Sequence, residues 1–349
     1  MALIQDKKEL VQAVQTVVQV DNTIMNLLFP SELFHTTETI EYDASTVEGV
    51  APGYNSFKNR ATVVAKDGFD TVTLNPVSYN ESISKTAIYA NARKFGENVY
   101  GATAGMVDPI QRALLDGVAK LELRTQVGKK AIMYEALTTH KIAGGFVDGT
   151  GGAVDIVFAV PAANKEVLAN TGSNLYWDNA SSKPLTNLLR IYRAMKVKPT
   201  AIVMNDVEYG YFFANAQVTT IDNTTTGEKR NFYVNEAVDS SSVGFRAGRI
   251  NYMGMIIDVW VEPQTRLLAN GSRTAYLPSK FVIFASNNGE MHYGGIPVAQ
   301  NGTVENITAP FDIQEIIEAN PPVHQITYRA APLPVLKNGE EYYSLQVRA

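Results

Sequence analysis

Four histidines, His35, His140, His292 and His324, are the side chains best placed to bind a metal or move a proton near neutral pH. They stand far apart with no His-x-x-x-His or similar ligand spacing, so each reads as a structural residue and not as a metal ligand. Nucleophilic catalysis fares no better. The serines of Ser181-Ser182 and Ser240-Ser241-Ser242 lie in polar stretches that read as turns, and no Gly-x-Ser-x-Gly elbow occurs. Gly149, Gly151 and Gly152 form no Gly-x-Gly-x-x-Gly and precede no Gly-Lys-Ser/Thr, which removes the usual phosphate cradles. Asp155, Asp206 and Asp258 are single carboxylates beside apolar runs, and their spacing proposes no acid–base pair. No metal, cofactor or catalytic residue is therefore expected.

Bulk properties narrow the classes further. A chain of 349 residues exceeds the size at which one core keeps growing, so two subdomains are expected. It is 45% hydrophobic and 19% charged, the balance of a folded globular protein. A formal charge of −5 without a basic cluster disfavours a protein whose task is to grip nucleic-acid phosphates. With no cysteine, disulfide scaffolds, thiol catalysis and cysteine-ligated metals are excluded. The N-terminal apolar residues are interleaved with Glu9, Gln12, Gln15 and Gln19, the wrong texture for a signal peptide. No run is apolar enough for long enough to cross a bilayer, so a soluble, unsecreted product is expected. Triplets such as Asn179-Ala180-Ser181 and Asn301-Gly302-Thr303 follow from an Asn- and Thr-rich composition.

The elements that would position any site have an unusual order. An amphipathic helix is predicted near the start, with Asp6 and Glu9 as a capping box and Leu10, Val11, Val14, Val17 and Val18 as its stripe. The apolar cluster Leu27-Leu28-Phe29 before Pro30 needs a partner surface, either the subunit's own core or a neighbouring subunit. From Thr36 to Lys85 the chain is polar and extended. Thr39–Asp43 and Asp70–Asn75 alternate with period two and read as the legs of a long hairpin. Between the legs Tyr54, Phe57, Lys58 and Arg60 form a cluster that reads as an intersubunit contact or as a solvated basic loop. Two-stranded hairpins are marginal in water, so one that leaves its domain must lie on another surface.

A long helix is predicted from Asp108 to His140, with Pro109 at its first position and Ile110, Leu114, Val118, Leu121, Val127, Ala131 and Leu137 along one side. At 1.5 Å per residue it would reach about 50 Å, with Gly117 and Gly128 weakening it and Gly144-Gly145 ending it. A second unit begins near Trp177, with a helix after Pro184, a buried strand at Ala201–Met204, and Asn205-Asp206 capping an aromatic helix with Tyr209, Phe212 and Phe213. Strand-like sequence returns after Val304, the order expected of one unit inserted into another.

Several stretches carry a family resemblance. They are Leu28-Phe29-Pro30 with His35-Thr36-Thr37-Glu38, Ala201-Ile202-Val203-Met204-Asn205-Asp206, Tyr276-Leu277-Pro278 before Phe281-Val282-Ile283-Phe284, and Ala331-Pro332-Leu333 through Tyr343-Ser344-Leu345-Gln346-Val347. In that order the chain resembles the lambda-type major capsid protein E family of tailed phages. The resemblance implies an α+β chain with the Hong-Kong-97-type capsid fold: an N-terminal arm over 1–35, an extended loop over 36–85, a peripheral domain over 86–177 and 301–349 with its spine helix over 108–140, and an axial domain over 178–300. It implies a non-enzymatic shell subunit that assembles as hexamers and pentamers around double-stranded genomic DNA without reading its sequence. The implied partners are a separate scaffolding protein, a portal and a decoration protein, and no membrane. Localisation would be the virion, with assembly in the host cytoplasm. Leu27, Leu28, Phe29, Tyr54, Phe57, Lys58 and Arg60 become the intersubunit contact candidates. Some relatives join subunits by a Lys–Asn bond; Lys58 and Lys66 lie on the loop, but no Asn or Glu partner is identified, and no cross-link is expected. Other classes remain open: an encapsulin-like compartment enclosing protein cargo, or a soluble oligomeric enzyme with a dispersed carboxylate site.

Overall fold

The helix Pro109–Thr139 spans 31 residues and contributes to two hydrophobic cores. The computed structural model describes residues 20–45, 69–86, 109–147, 152–172, 174–219, 221–224, 227–230, 232–234, 244–268, 270–300, 303–319 and 322–349. The expected N-terminal amphipathic helix lies outside them. Along the first half of the spine helix, Val118 and Leu121 point inward while Leu123 and Arg124 face solvent. Further on the pattern changes: Lys130, Ala131, Ile132, Met133, Tyr134, Ala136, Leu137 and Thr138 are all buried, so the helix passes from a surface position to one enclosed on most sides, with Glu135 and Thr139 half-buried. Gly128 has a packing role, since a Cβ there would sit 2.6 Å from the Tyr79 hydroxyl.

The helix ends differently from expectation. His140 adopts a left-handed conformation (φ 57°) and its N–H donates to the Ala136 carbonyl at 2.9 Å, making it the terminating residue. Gly144 and Gly145 instead lie within the strand Lys141–Val147, where the register against Ala153–Val157 shifts between Ile142 and Phe146. They form a bulge, with the Gly144 N–H donating to Asp155 Oδ1 at 2.9 Å. The Ser344 hydroxyl donates to the Thr138 carbonyl at 2.8 Å, satisfying one of the orphan acceptors at the helix end.

The first half of the helix lies on a three-stranded antiparallel sheet in the order Asp312–Ala319, Pro322–Ala330, Tyr79–Thr86. Val118 and Leu121 meet Ile313, Ile326 and Tyr328 there. Tyr79–Thr86 therefore belongs to this sheet and not to the extended loop, whose described legs are Ile40–Ser45 and Phe69–Leu74, paired from Ile40 opposite Leu74 to Ser45 opposite Phe69.

The second half lies against a larger sheet. Among the described residues its order is Phe232–Val234, Phe245–Tyr252, Met255–Glu262, Ala201–Asn205, Phe281–Ala285, Tyr343–Gln346 and Lys165–Val167. Ala201–Asn205 is buried throughout and sits mid-sheet, parallel to Met255–Glu262 and antiparallel to Phe281–Ala285. Alternation sorts its side chains: Ala201, Val203, Ile283 and Ala285 face the core around the spine helix, whereas Ile202, Met204, Val282, Phe284 and Leu345 face the core of the α/β unit. The sheet is thus a wall between two cores. Two of its strands, Tyr343–Gln346 and Lys165–Val167, come from the segments assigned by sequence to the other domain, so the unit at 178–300 completes its sheet with chain from outside that range.

Gly339 shows how closely the segments fit. A Cβ there would collide with the Ala159 carbonyl oxygen and lie 2.7 Å from the Val160 Cα. Gly339→Ala should therefore cost about 1–3 kcal/mol, read as a lower urea midpoint at unchanged slope. An unchanged midpoint would show that this contact relaxes freely.

Candidate assembly surfaces

The N-terminal segment divides at Pro30. Leu28 and Phe29, at the end of the helix Thr23–Leu28 and just past it, are buried in the subunit's own central core with Ile24 and Met25, and Leu27 is partly buried against it. This corrects their selection as contacts for a neighbour: the apolar cluster finds its partner surface within the chain, and buried Leu28 and Phe29 side chains present nothing outward. Beyond Pro30 the strand Ser31–Phe34 pairs in parallel with Glu290–Tyr293 and is exposed at all four positions, with Leu33 at 43% and Phe34 at 42%. Sequence reasoning passed over these two residues, whose signal was a pair of large apolar residues within an otherwise polar stretch.

Tyr54, Phe57, Lys58 and Arg60 lie outside the described residues. The base of their hairpin is anchored: Ile40 and Tyr42 are buried in the central core and Val72 and Leu74 pack on it, while Glu41 and Asp43 face solvent. The loop is therefore less detached at its root than its sequence suggests.

Behind the arm strand, polar groups form a chain. His35 Nε2 lies 2.9 Å from His292 Nδ1, the rings stack at 5.0 Å between centroids, and His292 Nε2 lies 3.1 Å from Glu290 Oε2. Lys337 pairs with the same carboxylate at 3.1 Å. Two histidines that look unrelated in sequence are thus neighbours. Burial holds His292 below the ordinary imidazole range, with His35 and Lys337 adding to it and Glu290 opposing it. Next along the strand, the Tyr293 hydroxyl accepts from Lys129 Nζ at 2.9 Å and donates to Glu32 Oε1 at 3.1 Å, while its ring stacks on Phe34 at 5.1 Å. His140 is isolated from these and is pushed down to about 4, first by burial and then by Lys165.

The α/β unit exposes a second group of apolar side chains. On the helix Asp206–Ala214, capped by Asn205 through the Val207 N–H at 3.0 Å, Val207, Tyr211 and Phe213 reach solvent. The Arg348 guanidinium lies 5.2 Å from the Tyr211 ring centroid and pairs with buried Glu208 at 2.9 Å. At the turn joining Phe245–Tyr252 to Met255–Glu262, both Met253 (φ 46°) and Gly254 (φ 86°) have positive φ, the geometry of a two-residue hairpin. Methionine is a costly choice there, and its side chain is 69% exposed. Aromatics, methionine and arginine are the residue types enriched where proteins meet.

Two of the three carboxylates considered for chemistry are paired with cations, while Asp206 Oδ1 accepts from the Val207 N–H at 2.9 Å at the start of its helix. Asp258 is held by Arg246 and Arg249, each at 2.7 Å, and Asp155 by Lys141 at 2.8 Å. Among the described residues no group of three or more His, Asp or Glu side chains is arranged to hold a metal, and no helix is long and apolar enough to cross a membrane.

Comparison with known proteins bears on these surfaces. A sequence profile of the family described as phage major capsid protein E matches residues 6–347. No curated protein matches the chain in sequence. In structure, a capsid protein of a prophage from E. coli CFT073 superposes with a TM-score of 0.67 at 14% identity, over 99% of this chain and 100% of that one. The capsid asymmetric unit of cyanophage A-1(L) gives 0.50 at 12% identity, over 95% and 94%. An encapsulin from Synechococcus elongatus PCC 7942 reaches 0.44 at 11% identity, over 100% and 96%. The fold is that of tailed-phage capsid subunits, the Hong-Kong-97 type, with its spine helix and α/β unit recognisable here. Matched by the profile over nearly its full length, the chain belongs to the phage major capsid protein E family, a structural family of virion shells.

Proposed function

We propose that this subunit assembles as hexamers and pentamers into an icosahedral shell that encloses phage double-stranded DNA. The observation that carries the reading is the contrast between a well-filled body and apolar side chains left outside it. Leu33 and Phe34 on the arm, and Val207, Tyr211 and Met253 on the α/β unit, are exposed although two cores lie within reach. The hairpin from Ile40 to Leu74 would carry Tyr54, Phe57, Lys58 and Arg60 onto an adjacent subunit, with Leu27 at the edge of the contact. Net charge −5 suits a container into which DNA is driven by other machinery, with contacts to the nucleic acid that ignore sequence. A separate scaffolding protein, a portal and a decoration protein would complete the assembly, which would proceed in the host cytoplasm. No reaction and no cofactor are assigned to the chain.

Electron microscopy of the purified protein, alone and with its scaffold, tests this. Closed shells tens of nanometres across are expected, and boiling in detergent should return a single monomer band. A small defined oligomer under both conditions would refute the shell, a ladder of covalent oligomers would refute the absence of cross-links, and particles filled with protein would favour an encapsulin-like compartment. Tyr54→Ala with Phe57→Ala should lower the assembled fraction while leaving the subunit's own unfolding midpoint unchanged.

A further inference from the structure

The passage from the arm strand into the hairpin runs directly over a pair of glycines. His35 N–H donates to the Tyr293 carbonyl at 2.8 Å, Gly295 N–H to the Thr37 carbonyl at 2.7 Å, and Asn306 Nδ2 to the Thr36 carbonyl at 3.1 Å. A Cβ on Gly295 would sit 2.8 Å from the Thr36 oxygen, and one on Gly294 would sit 2.7 Å from Pro76 Cγ, just past the hairpin's returning leg. Both legs of the hairpin therefore meet beside the His35–His292 pair. The side-chain bond between these imidazoles lies at that joint.

We infer that His35 and His292 form a proton-operated clasp, which holds the strand Ser31–Phe34 and the hairpin root against Glu290–Tyr293 until both imidazoles are charged. The bonding pattern dictates this. His292 Nε2 faces the Glu290 carboxylate, so its proton sits there and Nδ1 presents a lone pair to the Nε2–H of His35. A first added proton on His35 Nδ1 leaves that bond intact. A second has to enter on His292 Nδ1, where two N–H groups would then face each other across 2.9 Å and two cations would stack at 5.0 Å. The other charged or titratable groups facing His292 do not relieve the conflict. Glu290 is already shared with Lys337, and the Tyr42 ring meets His292 edge-on at 6.3 Å as a neutral phenol, its hydroxyl pushed up to about 12 by burial. Glu32 and Lys129 act on the neighbouring Tyr293.

Parted from His35, His292 Nδ1 can take a proton in the imidazole range, whereas in the clasp it resists one, so the released state binds more protons. Closure is complete above that range and weakens as pH falls through it.

Hydrogen exchange on the full-length chain at about pH 7.5 and about pH 5, corrected for the intrinsic rate, tests the clasp. Protection of residues 31–39 should fall by about tenfold for each pH unit below the imidazole range, while that of Ala201–Asn205 stays unchanged. His35→Gln keeps a donor to Nδ1 and, by turning its amide, offers an oxygen to a protonated Nδ1, so it should remain protected at both pH values. Glu290→Gln removes the carboxylate that favours His292 protonation, so release should move to lower pH. Equal protection of the wild type at both pH values, or the same loss in His35→Gln, would overturn the inference. Should His35→Gln not fold, a release pH in Glu290→Gln that is unmoved or raised does so instead.

Discussion

Lys130→Ala should destabilise the subunit by about 3–5 kcal/mol, enough to consume much of the margin on which a folded domain rests. Lys130 is 1% exposed and its Nζ lies 2.8 Å from Glu262 Oε2, on a side chain with no exposure at all. The same ammonium donates to the Asp21 carbonyl at 2.7 Å and to Gln264 Oε1 at 2.6 Å, and it sits 4.9 Å from the Tyr276 ring centroid. One side chain of the spine helix thereby ties the N-terminal segment to the α/β unit. Removing it leaves the Glu262 carboxylate, among the described residues, with neutral donors, the Tyr134 hydroxyl at 2.8 Å and the Gln264 N–H at 3.1 Å. Tyr134 cannot help by ionising, since burial and then Glu262 hold its hydroxyl well above the usual phenol range. Lys130→Met with Glu262→Leu removes both charges and should recover most of the loss, because the penalty is chiefly that of a stranded ion. Urea unfolding of the single and double variants measures this. A single variant as stable as the wild type would show that the pair is not buried as described.

Phe212→Ala should cost about 3–5 kcal/mol by opening a cavity on the far side of the wall. Phe212 has no exposure and packs at 5.8 Å from the Trp177 ring and edge-on at 5.5 Å from Phe232. Residues 178–300 read in sequence as a separate unit, for which such damage would stay local. A shared sheet predicts otherwise: Ile202 and Val203 are adjacent residues serving opposite cores, so loosening one face loosens the strand that supports the other. The variant should unfold in a single transition at lower denaturant, seen alike by fluorescence and circular dichroism. Two resolved transitions would mean that the cores melt independently.

What the sequence disclosed depended on how local each signal was. The spine helix, the strand Ala201–Asn205 and the Asn205 cap were legible because period, capping side chains and proline placement act within a few residues. The hairpin legs were legible from strict alternation. Leu28 and Phe29 show the limit: a local apolar cluster demands a cover but does not say whether its own chain or another supplies it. Gly144 and Gly145 carried a stop signal that His140 had already delivered in a conformation unusual for a non-glycine residue. His35 and His292 are 257 positions apart and meet through a parallel pairing of Ser31–Phe34 with Glu290–Tyr293, which no spacing rule anticipates. The places of Tyr343–Gln346 and Lys165–Val167 in the large sheet were equally hidden, since short strands do not announce their partners.

The wall between the cores also decides how such a subunit would carry load. A container pressed from within pulls on each tile, and a sheet filled on both faces resists bending, because any crease would open a void on one side and crowd the other. Strain would then be passed on through the plate to its thin margins. Those margins are the arm strand, held by one ladder, an imidazole pair and the Tyr293 contacts to Glu32 and Phe34, and the hairpin root resting on Gly294 and Gly295. A tile built this way behaves as a stiff panel with compliant seams, and its changes of shape would be confined to the seams.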